Sequence, residues 1–353
     1  MAASECRTTR TYFKISMQSR QLFPSFEVSR KLPVNYDTMY AGKESFIHSK
    51  ELFPPVNIYE LENAYVSPYG VVFKNGKIIK ESVYGMFDPK KQWPSFIKKI
   101  LLGKTRMLDE PGLVTHHAFY ENYYHWLCEI MPRIFVAVNA LKNESVALLM
   151  HEKQPAFVRE LVSLFYFKKI IYVRDDEIVK VPKLYFPSHI ARPLAYHPAV
   201  MLDYSKWLQE KLNDPSLEHS PEKIFISRKN ARYRITHNED KIQAWLEAQG
   251  FAAIAPENYT VREQLNLFKK ARIIIGSHGA GFSNLVFAPY CELIVDIIHR
   301  EHPQDCFYNL ANVFGTDYYY FQCEGKGALA YKNNDDVVAD PDQFINEVGK
   351  RLI

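Results

Sequence analysis

Three short segments carry residue types whose spacing could do chemistry. The sharpest is Gly276-Ser-His-Gly-Ala-Gly281, which follows an apolar run and precedes another. Glycines let backbone N–H groups approach an anion where a strand feeds a helix, so this turn could cradle a diphosphate. Ser277, His278, Gly279, Ala280, Gly281 and Asn284 are the candidate contacts. No Gly-Lys-Ser/Thr follows and the GxGxxG spacing is absent, so neither the P-loop nor the dinucleotide fingerprint applies. The plainer alternative is a tight turn whose glycines serve backbone geometry alone.

The second segment, Ser227-Arg-Lys-Asn-Ala-Arg-Tyr-Arg234, gathers Arg228, Lys229, Arg232 and Arg234 directly after an apolar run. Guanidinium forks take phosphate oxygens two at a time, so the loop could hold a nucleotide diphosphate, with Arg228 nearest the strand end. A solvated basic loop is the alternative. The third segment runs from Asn122 to Arg133 and includes His125 and Glu129, four residues apart. On a helix these share a face, so an imidazole and a carboxylate could meet beside one substrate. Either could act as a general base, with His125 preferred, or Glu129 could orient the imidazole. The alternative is packing, with Trp126, Leu127 and Ile130 in a core. His125-x-x-Cys128 with His116-His117 upstream offers nitrogen and sulfur ligands, but the spacing matches no standard zinc pattern and no metal is expected.

Two weaker features remain. Asp296 lies in the apolar run Leu293–Ile298, where a carboxylate needs a partner. A ribose or sugar hydroxyl, an arginine and a backbone N–H all qualify. His299-Arg-Glu-His302 could line a cleft, and Asp335-Asp336 reads as surface.

Residues 60–86 alternate apolar and polar positions around Gly70, Asn75-Gly76 and Gly85, which predicts short antiparallel strands joined by tight turns. After them the period switches: helix over Tyr123–Val138, strand over Ser145–Met150, helix over Ala156–Phe167 and strand over Ile170–Val173. Asn213-Asp214-Pro215 and the polar stretch to Pro221 predict a linker. Beyond it come strand Ile224–Ile226, a helix capped by Asn238 and ending at Gly250, and a capping box Thr260-Val-Arg-Glu263 opening another helix. Strand Ile273–Ile275, a helix from about Phe282 and strand Glu292–Ile298 complete the alternation. Such alternation implies parallel sheets, with a ligand cleft at the carboxyl ends of the strands.

The 353 residues include 47% apolar and 24% charged positions, more than one core comfortably holds, so two domains are expected. Forty-four Lys and Arg against 40 Asp and Glu, a net charge of +4, argue against a dedicated nucleic-acid binder. Five scattered cysteines with no CxxC fit a reducing compartment. The first residues lack the apolar run of a signal peptide, and no stretch approaches the roughly 18 apolar residues of a membrane span. Asn143-Glu-Ser145 and Asn258-Tyr-Thr260 match the glycosylation sequon, which carries weight only in a secreted chain.

Taken together, three strings resemble glycosyltransferase family 61: Asn122-Tyr-Tyr-His-Trp-Leu-x-Glu-x-x-Pro-Arg133, Ile226-Ser-Arg-x-x-Ala-Arg-x-Arg234 with Asn238-Glu239, and Glu263-Gln264 leading to Gly276-Ser-His-Gly-Ala-Gly-Phe-Ser-Asn284. The resemblance spans roughly residues 60–300. It implies an α/β, GT-B-like architecture: two Rossmann-like domains with a small antiparallel β element in the N-terminal part. Residues 1–217 would form the acceptor side and 218–353 the nucleotide-sugar side, with the C-terminal helix packing back on the first domain as an option. The implied activity is inverting, metal-independent sugar transfer from a nucleotide sugar to a saccharide or glycolipid acceptor, in surface polysaccharide synthesis, without a cofactor. By position, Arg228, Arg232, Arg234, Ser277, His278, Gly279, Ala280, Gly281, Asn284 and Asp296 would serve the donor. His125 and Glu129 would be catalytic, and Asn122, Tyr123, Tyr124, Trp126 and Arg133 would face the acceptor. An epimerase or hydrolase acting on nucleotide sugars, and a non-catalytic saccharide-binding module, are the alternatives. The expected location is the cytoplasm, including the inner face of a membrane by peripheral attachment, or the secretory lumen if the chain is trimmed.

Overall fold

Alternate residues of the central strands sort into separate cores, because successive strand side chains point to opposite faces. In Ala147–His151, Leu148 and Met150 join one cluster while Ala147 and Leu149 join another. In Lys223–Ile226, Ile224 and Ile226 share the cluster of Leu148, and Phe225 faces a third. Strands covered on both faces are expected of parallel sheets under helices. The computed structural model describes residues 17–40, 43–85, 88, 93–142, 144–217, 220–327 and 335–352.

Two large sheets result, with mixed α/β architecture. The first has nine strands among the described residues. Lys169–Val173, Ala147–His151, Gly112–Val114 and Ile178–Pro187 run parallel in that spatial order, and Ile178–Pro187 then pairs antiparallel with Val56–Val66. A meander, Val56–Val66, Val72–Lys74 and Lys77–Ile78, closes that edge. Its tight turn at Asn75 (φ 50°) and Gly76 (φ 70°) has both central residues left-handed, the type I′ geometry that Asn-Gly favours. The antiparallel element expected near residues 60–86 is therefore present.

The second sheet carries five parallel strands in the spatial order Ala252–Ile254, Lys223–Ile226, Ile273–Ser277, Leu293–His299 and Asp317–Gly325. In chain order this is 2-1-3-4-5, so the connections reverse direction between Lys223–Ile226 and Ile273–Ser277. Open α/β sheets bind ligands outside the carboxyl ends at such a switch point. The residues immediately beyond these two strands are Ser227-Arg228 and His278-Gly279.

One continuous cluster fills the layer between the sheets. It contains Leu148 and Tyr185 of the first, Ile226 and Ile274 of the second, and the inner faces of helices Met131–Ala140, Pro198–Leu212, Val261–Phe268 and Cys306–Phe314. The N-terminal segment reinforces this union. Val34 donates its N–H to Tyr318 O, Asn35 exchanges two hydrogen bonds with Tyr320, and Tyr40 donates to Gln322, so residues 34–40 cover an edge of Asp317–Gly325 that would otherwise be open. Nearby an ionic chain joins Arg30, Glu51, Arg192 and Asp305.

Several expectations change. The helix expected from Phe282 is a 3₁₀ helix, Ala280–Phe287. Asn238 adopts a left-handed backbone and donates its side chain to Ala339 O instead of capping Glu239–Ala248. Thr260 and Glu263 do form their reciprocal capping box. The C-terminal helix Pro341–Val348 packs through Phe344 on Trp245 and Phe321 under the second sheet, not on the first. Asp335 is buried, accepts from Gly327 N–H and lies 3.8 Å from His299, so it is not surface, while Asp336 accepts from Ile235 N–H and stays partly exposed. Asn143 and Cys6 lie outside the described residues, and Cys128, Cys291, Cys306 and Cys323 are free and buried. No helix of the described residues is long and apolar enough to cross a membrane.

Burial raises the proton affinity of Glu51, but the bonds from Arg192 and Arg30 outweigh it and hold the carboxyl below its ordinary range. Arg30 is almost fully buried and has no second carboxylate within ion-pair distance among the described residues. Glu51→Gln strands that charge and should cost about 2 kcal/mol, less than a fully buried pair because Glu51 is partly exposed. The measurement is the urea midpoint, and an unchanged midpoint would mean the chain of charges does not help hold the sheets together.

Candidate functional site

The helix expected over Tyr123–Val138 is real but changes pitch. Tyr123–His125 is α-helical, Trp126–Ile130 forms a π turn, and Met131–Ala140 is α-helical again. Single π turns inside α-helices recur at functional sites. Asn122 opens the helix by accepting the N–H of Tyr124, an N-cap role.

Across the π turn, His125 Nδ1 lies 2.6 Å from Glu129 Oε2. His117 Nε2 approaches the same oxygen at 3.2 Å, off the line of an ideal hydrogen bond. Glu129 Oε1 accepts from Tyr84 O–H at 2.8 Å and from Leu194 N–H at 3.3 Å. Leu194 presents that N–H from a left-handed backbone (φ 67°), a strained conformation for a branched residue, while Asn309 donates to its carbonyl. Burial raises the proton affinity of Glu129, but the bonds from His117 and His125 more than reverse this and keep the carboxyl ionised far below its usual range. Burial pushes His117 down to about 4 and His116 to about 3, so both are neutral at pH 7.

The partners assign the tautomers. Phe119 donates its N–H to His117 Nδ1 at 3.3 Å, which puts the His117 proton on Nε2, facing the carboxylate. His125 likewise turns Nδ1–H to Glu129, which leaves a lone pair on Nε2. The acceptor-only carboxylate is engaged on both oxygens, so the free basic atom of the pair belongs to His125. The donor atoms of His117, His125 and Glu129 lie within 4.8 Å of one another, a possible cation triad. To ligate a metal, both imidazoles would have to give up the N–H groups they turn toward Glu129, and His117 would face Phe119 N–H with a second N–H. The hydrogen-bonded arrangement does not fit that use.

The second half supplies positive charge. A cleft of about 660 Å³ lies between the halves, with Tyr123, Phe157 and Glu160 on one wall and Arg228, Tyr259, Gln264 and Gly281 on the other. Arg228 donates to Tyr233 O, and its guanidinium lies against Gly279, where an added Cβ would fall 2.0 Å from Nη1. Burial, then the neighbouring Arg234, pulls Arg228 down to about 10. Burial also lowers Arg234, whose backbone is left-handed (φ 58°). Neither arginine has a carboxylate within ion-pair distance among the described residues, and the Nε of each is buried and unpartnered. Arg232 points to solvent and packs over Tyr233.

Several predicted contacts are occupied by the protein itself. Asp296 is fully buried and its Oδ2 accepts from His278 Nδ1 at 2.7 Å and Tyr318 O–H at 2.6 Å, so its partners are an imidazole and a phenol, not a sugar. His278 Nε2 faces Gln304 Oε1 at 3.2 Å, beside a 20 Å³ cavity it shares with Arg234, His299 and His302, about the room of one water. Ser277 is bound to Thr236, and Asn284 bridges Tyr123 and Gln264; both are buried. Trp126 is buried and donates to Tyr120 O, Tyr124 is hydrogen-bonded to Tyr196, and buried Arg133 donates to Thr115 O and Pro187 O. Of the acceptor-side set, Tyr123 lines the cleft and Asn122 is exposed; the other three hold the fold. Gly279, Ala280 and Gly281 stay beside Arg228, with Ala280 and Gly281 in the cleft wall.

His125 and His278 are separated by two rings. Tyr124 lies 5.0 Å from His125 and 5.6 Å from Phe307, which lies 5.0 Å from His278. Sequence reasoning overlooked Tyr84, Leu194, Gln304 and Tyr318. It noted His117 only as a ligand candidate, and only the His116-His117 pair offered any local signal.

Residues 123–295 match the glycosyltransferase 61 family model. The chain is 26% identical over 223 residues to the EGF domain-specific O-linked N-acetylglucosamine transferase of Drosophila melanogaster, covering 56% of this chain and 42% of that protein. It is 25% identical over 213 residues to the β-1,2-xylosyltransferase XAX1 of Oryza sativa subsp. japonica, covering 53% and 37%. The Xenopus laevis EGF domain-specific O-linked N-acetylglucosamine transferase matches at 24% over 164 residues, covering 43% and 31%. The matched stretches thus cover less than half the length of each of these relatives.

Two outcomes follow from the geometry. Gly279→Ala forces Arg228 away and should weaken binding of UDP by about tenfold or more, the value of a charge-assisted hydrogen bond, as read by calorimetry; unchanged affinity would detach Arg228 from the anion site. The unfolded chain protonates its histidines near 6.5 and its glutamates near 4.5, whereas folded His117, His116 and Glu129 resist until lower pH. The unfolded state therefore binds more protons, and melting temperature should fall steadily as pH drops from about 6.5 to about 4. A flat melting temperature through that window would contradict the burial of these groups.

Proposed function

Since the chain belongs to the glycosyltransferase 61 family, we propose that it moves one sugar from a nucleotide diphosphate to a hydroxyl of a saccharide or lipid-linked acceptor, with inversion. The observation that supports the reading is the pair Arg228 and Arg234, two half-buried guanidiniums beside a topological switch point, each with an unpartnered buried Nε and no carboxylate within ion-pair distance among the described residues. Burying like charges together is costly, and a diphosphate is the ligand whose charge would offset it. The two sheets then act as the halves of a GT-B architecture, the first sheet on the acceptor side and the second on the donor side, with residues 34–40 crossing to the edge of the second.

In the proposed reaction the acceptor O–H gives its proton to His125 Nε2 as its oxygen bonds to the anomeric carbon. The bond from that carbon to the diphosphate oxygen breaks, and the electron pair leaves with the diphosphate. Glu129 stabilises the imidazolium through Nδ1–H. Arg228, Arg234 and the amides near Gly279–Gly281 take up the growing negative charge, so the scheme is metal-independent and needs no cofactor. The acceptor-side fold residues Trp126, Tyr124 and Arg133 support the base from behind. The relatives' names point to N-acetylglucosamine and xylose as the first sugars to try.

The test uses UDP-N-acetylglucosamine and UDP-xylose, with thermal shift for binding and UDP release for turnover. Arg228→Ala should reduce turnover by ~10²–10³ and weaken the donor. His125→Gln should reduce turnover by ~10² or more and leave donor binding within about threefold. Full activity in either variant, or isomerised donor without an acceptor, would overturn the reading.

A further inference from the structure

We propose that Tyr84 is a positioning residue: its hydroxyl clamps the Glu129 carboxylate from the side opposite the imidazoles and thereby sets the pH range in which His125 accepts a proton. The inference rests on the proposed role of His125 and adds two groups, Tyr84 and His117, that lie N-terminal to the matched residues 123–295.

Tyr84 is built into this position twice over. Its O–H donates to Glu129 Oε1 at 2.8 Å, and its ring lies 4.1 Å from that of His117 at an interplanar angle of 11°. It also meets His125 edge-on at 5.8 Å. The phenol is 3% exposed and the Glu129 side chain 9%, so the bond lies in a largely dry setting. Burial, then the adjacent Glu129 charge, raises its proton affinity far above the ordinary phenol value, so it remains a donor at every working pH. His117 completes the arrangement, since Phe119 N–H fixes its tautomer and turns Nε2–H toward Oε2.

A carboxylate that accepts several hydrogen bonds is a weaker base, and it pulls less on the proton of the imidazole it holds. Removing the Tyr84 donor makes Glu129 more electron-rich, which favours protonated His125. Facing the pair are also Arg133, the cation whose charge interacts with Glu129, and His189, which burial keeps neutral. Tyr124, Tyr196, Cys128 and Cys306 surround them, all neutral because burial raises each. None of these donates to Glu129 Oε1, so among the described residues Tyr84 O–H and Leu194 N–H are the donors that hold that oxygen.

The experiment is nitrogen-15 spectroscopy of the full chain labelled at histidine, with His125→Gln identifying the His125 signals. It needs neither donor nor acceptor. The expected result is the Nδ1–H tautomer for His125 and the Nε2–H tautomer for His117. In Tyr84→Phe the transition of His125 to its doubly protonated form should move up by about one pH unit. His117→Gln, whose amide can still donate to Glu129, should leave that transition nearer its original place than His117→Ala does. Loss of the His125 shift in Tyr84→Phe, or an Nε2–H tautomer at His125, overturns the proposal even if His125→Gln abolishes transfer. If Tyr84→Phe fails to fold, the His117→Gln and His117→Ala pair decides, and equal transitions in those two also overturn it. Transfer that survives His125→Gln instead removes the catalytic reading and leaves the clamp as a structural fact.

Discussion

The constraint on which the rest depends is the cost of keeping Glu129 ionised inside the protein. A buried carboxylate is tolerable only when donors replace its water shell. Here they come from four places: Tyr84 after the meander, His117 after strand Gly112–Val114, His125 one turn away, and Leu194 on the path to helix Pro198–Leu212. Gathering them requires the first sheet to be assembled. The strain at Leu194 and the π turn at Trp126–Ile130 are local departures that bring the groups into contact.

The second sheet treats charge in the opposite way. Arg228 and Arg234 are partly drawn into the protein near the carboxyl ends of its strands with no carboxylate within ion-pair distance among the described residues, while two buried acids nearby are engaged elsewhere: Glu239 accepts from Ser227 O–H and Arg228 N–H, and Asp296 from His278 and Tyr318. One half thus satisfies a negative charge completely, leaving a free imidazole nitrogen. The other leaves positive charge unsatisfied beside a cleft. The continuous core between the sheets and the N-terminal segment along Asp317–Gly325 keep these environments in one body.

Local periodicity was enough to read the strands Ala147–His151, Lys223–Ile226 and Ile273–Ser277, the Asn75-Gly76 turn and the Thr260 capping box, because each depends on residues a few positions apart. The His125–Glu129 contact was legible for the same reason. Ile178–Pro187 was not, since Lys180, Pro182 and Lys183 interrupt its apolar pattern. Its pairing with Val56–Val66 continues on either side of Pro182, opposite Asn63, whose φ of 50° marks the irregularity. Burial misled the reading of Trp126, Tyr124, Arg133, Ser277 and Asn284: polar and aromatic side chains beside a motif suggested ligand contacts, yet each finds its partner within the fold. The clamp residues Tyr84 and Leu194 lie 45 and 65 positions from Glu129, beyond the reach of any local pattern.

The central claim of the proposal is that a nucleotide sugar held at Arg228, beside the switch point, presents its sugar to His125 of the other half. A structure of the protein with UDP-N-acetylglucosamine or UDP-xylose bound, whichever gives the larger thermal shift, tests it most directly. The account predicts the diphosphate within hydrogen-bond distance of Arg228 and the amides near Gly279–Gly281, and His125 Nε2 on the sugar face opposite the leaving oxygen. A diphosphate seated away from Arg228, or His125 on the leaving-group side of the sugar, would contradict it.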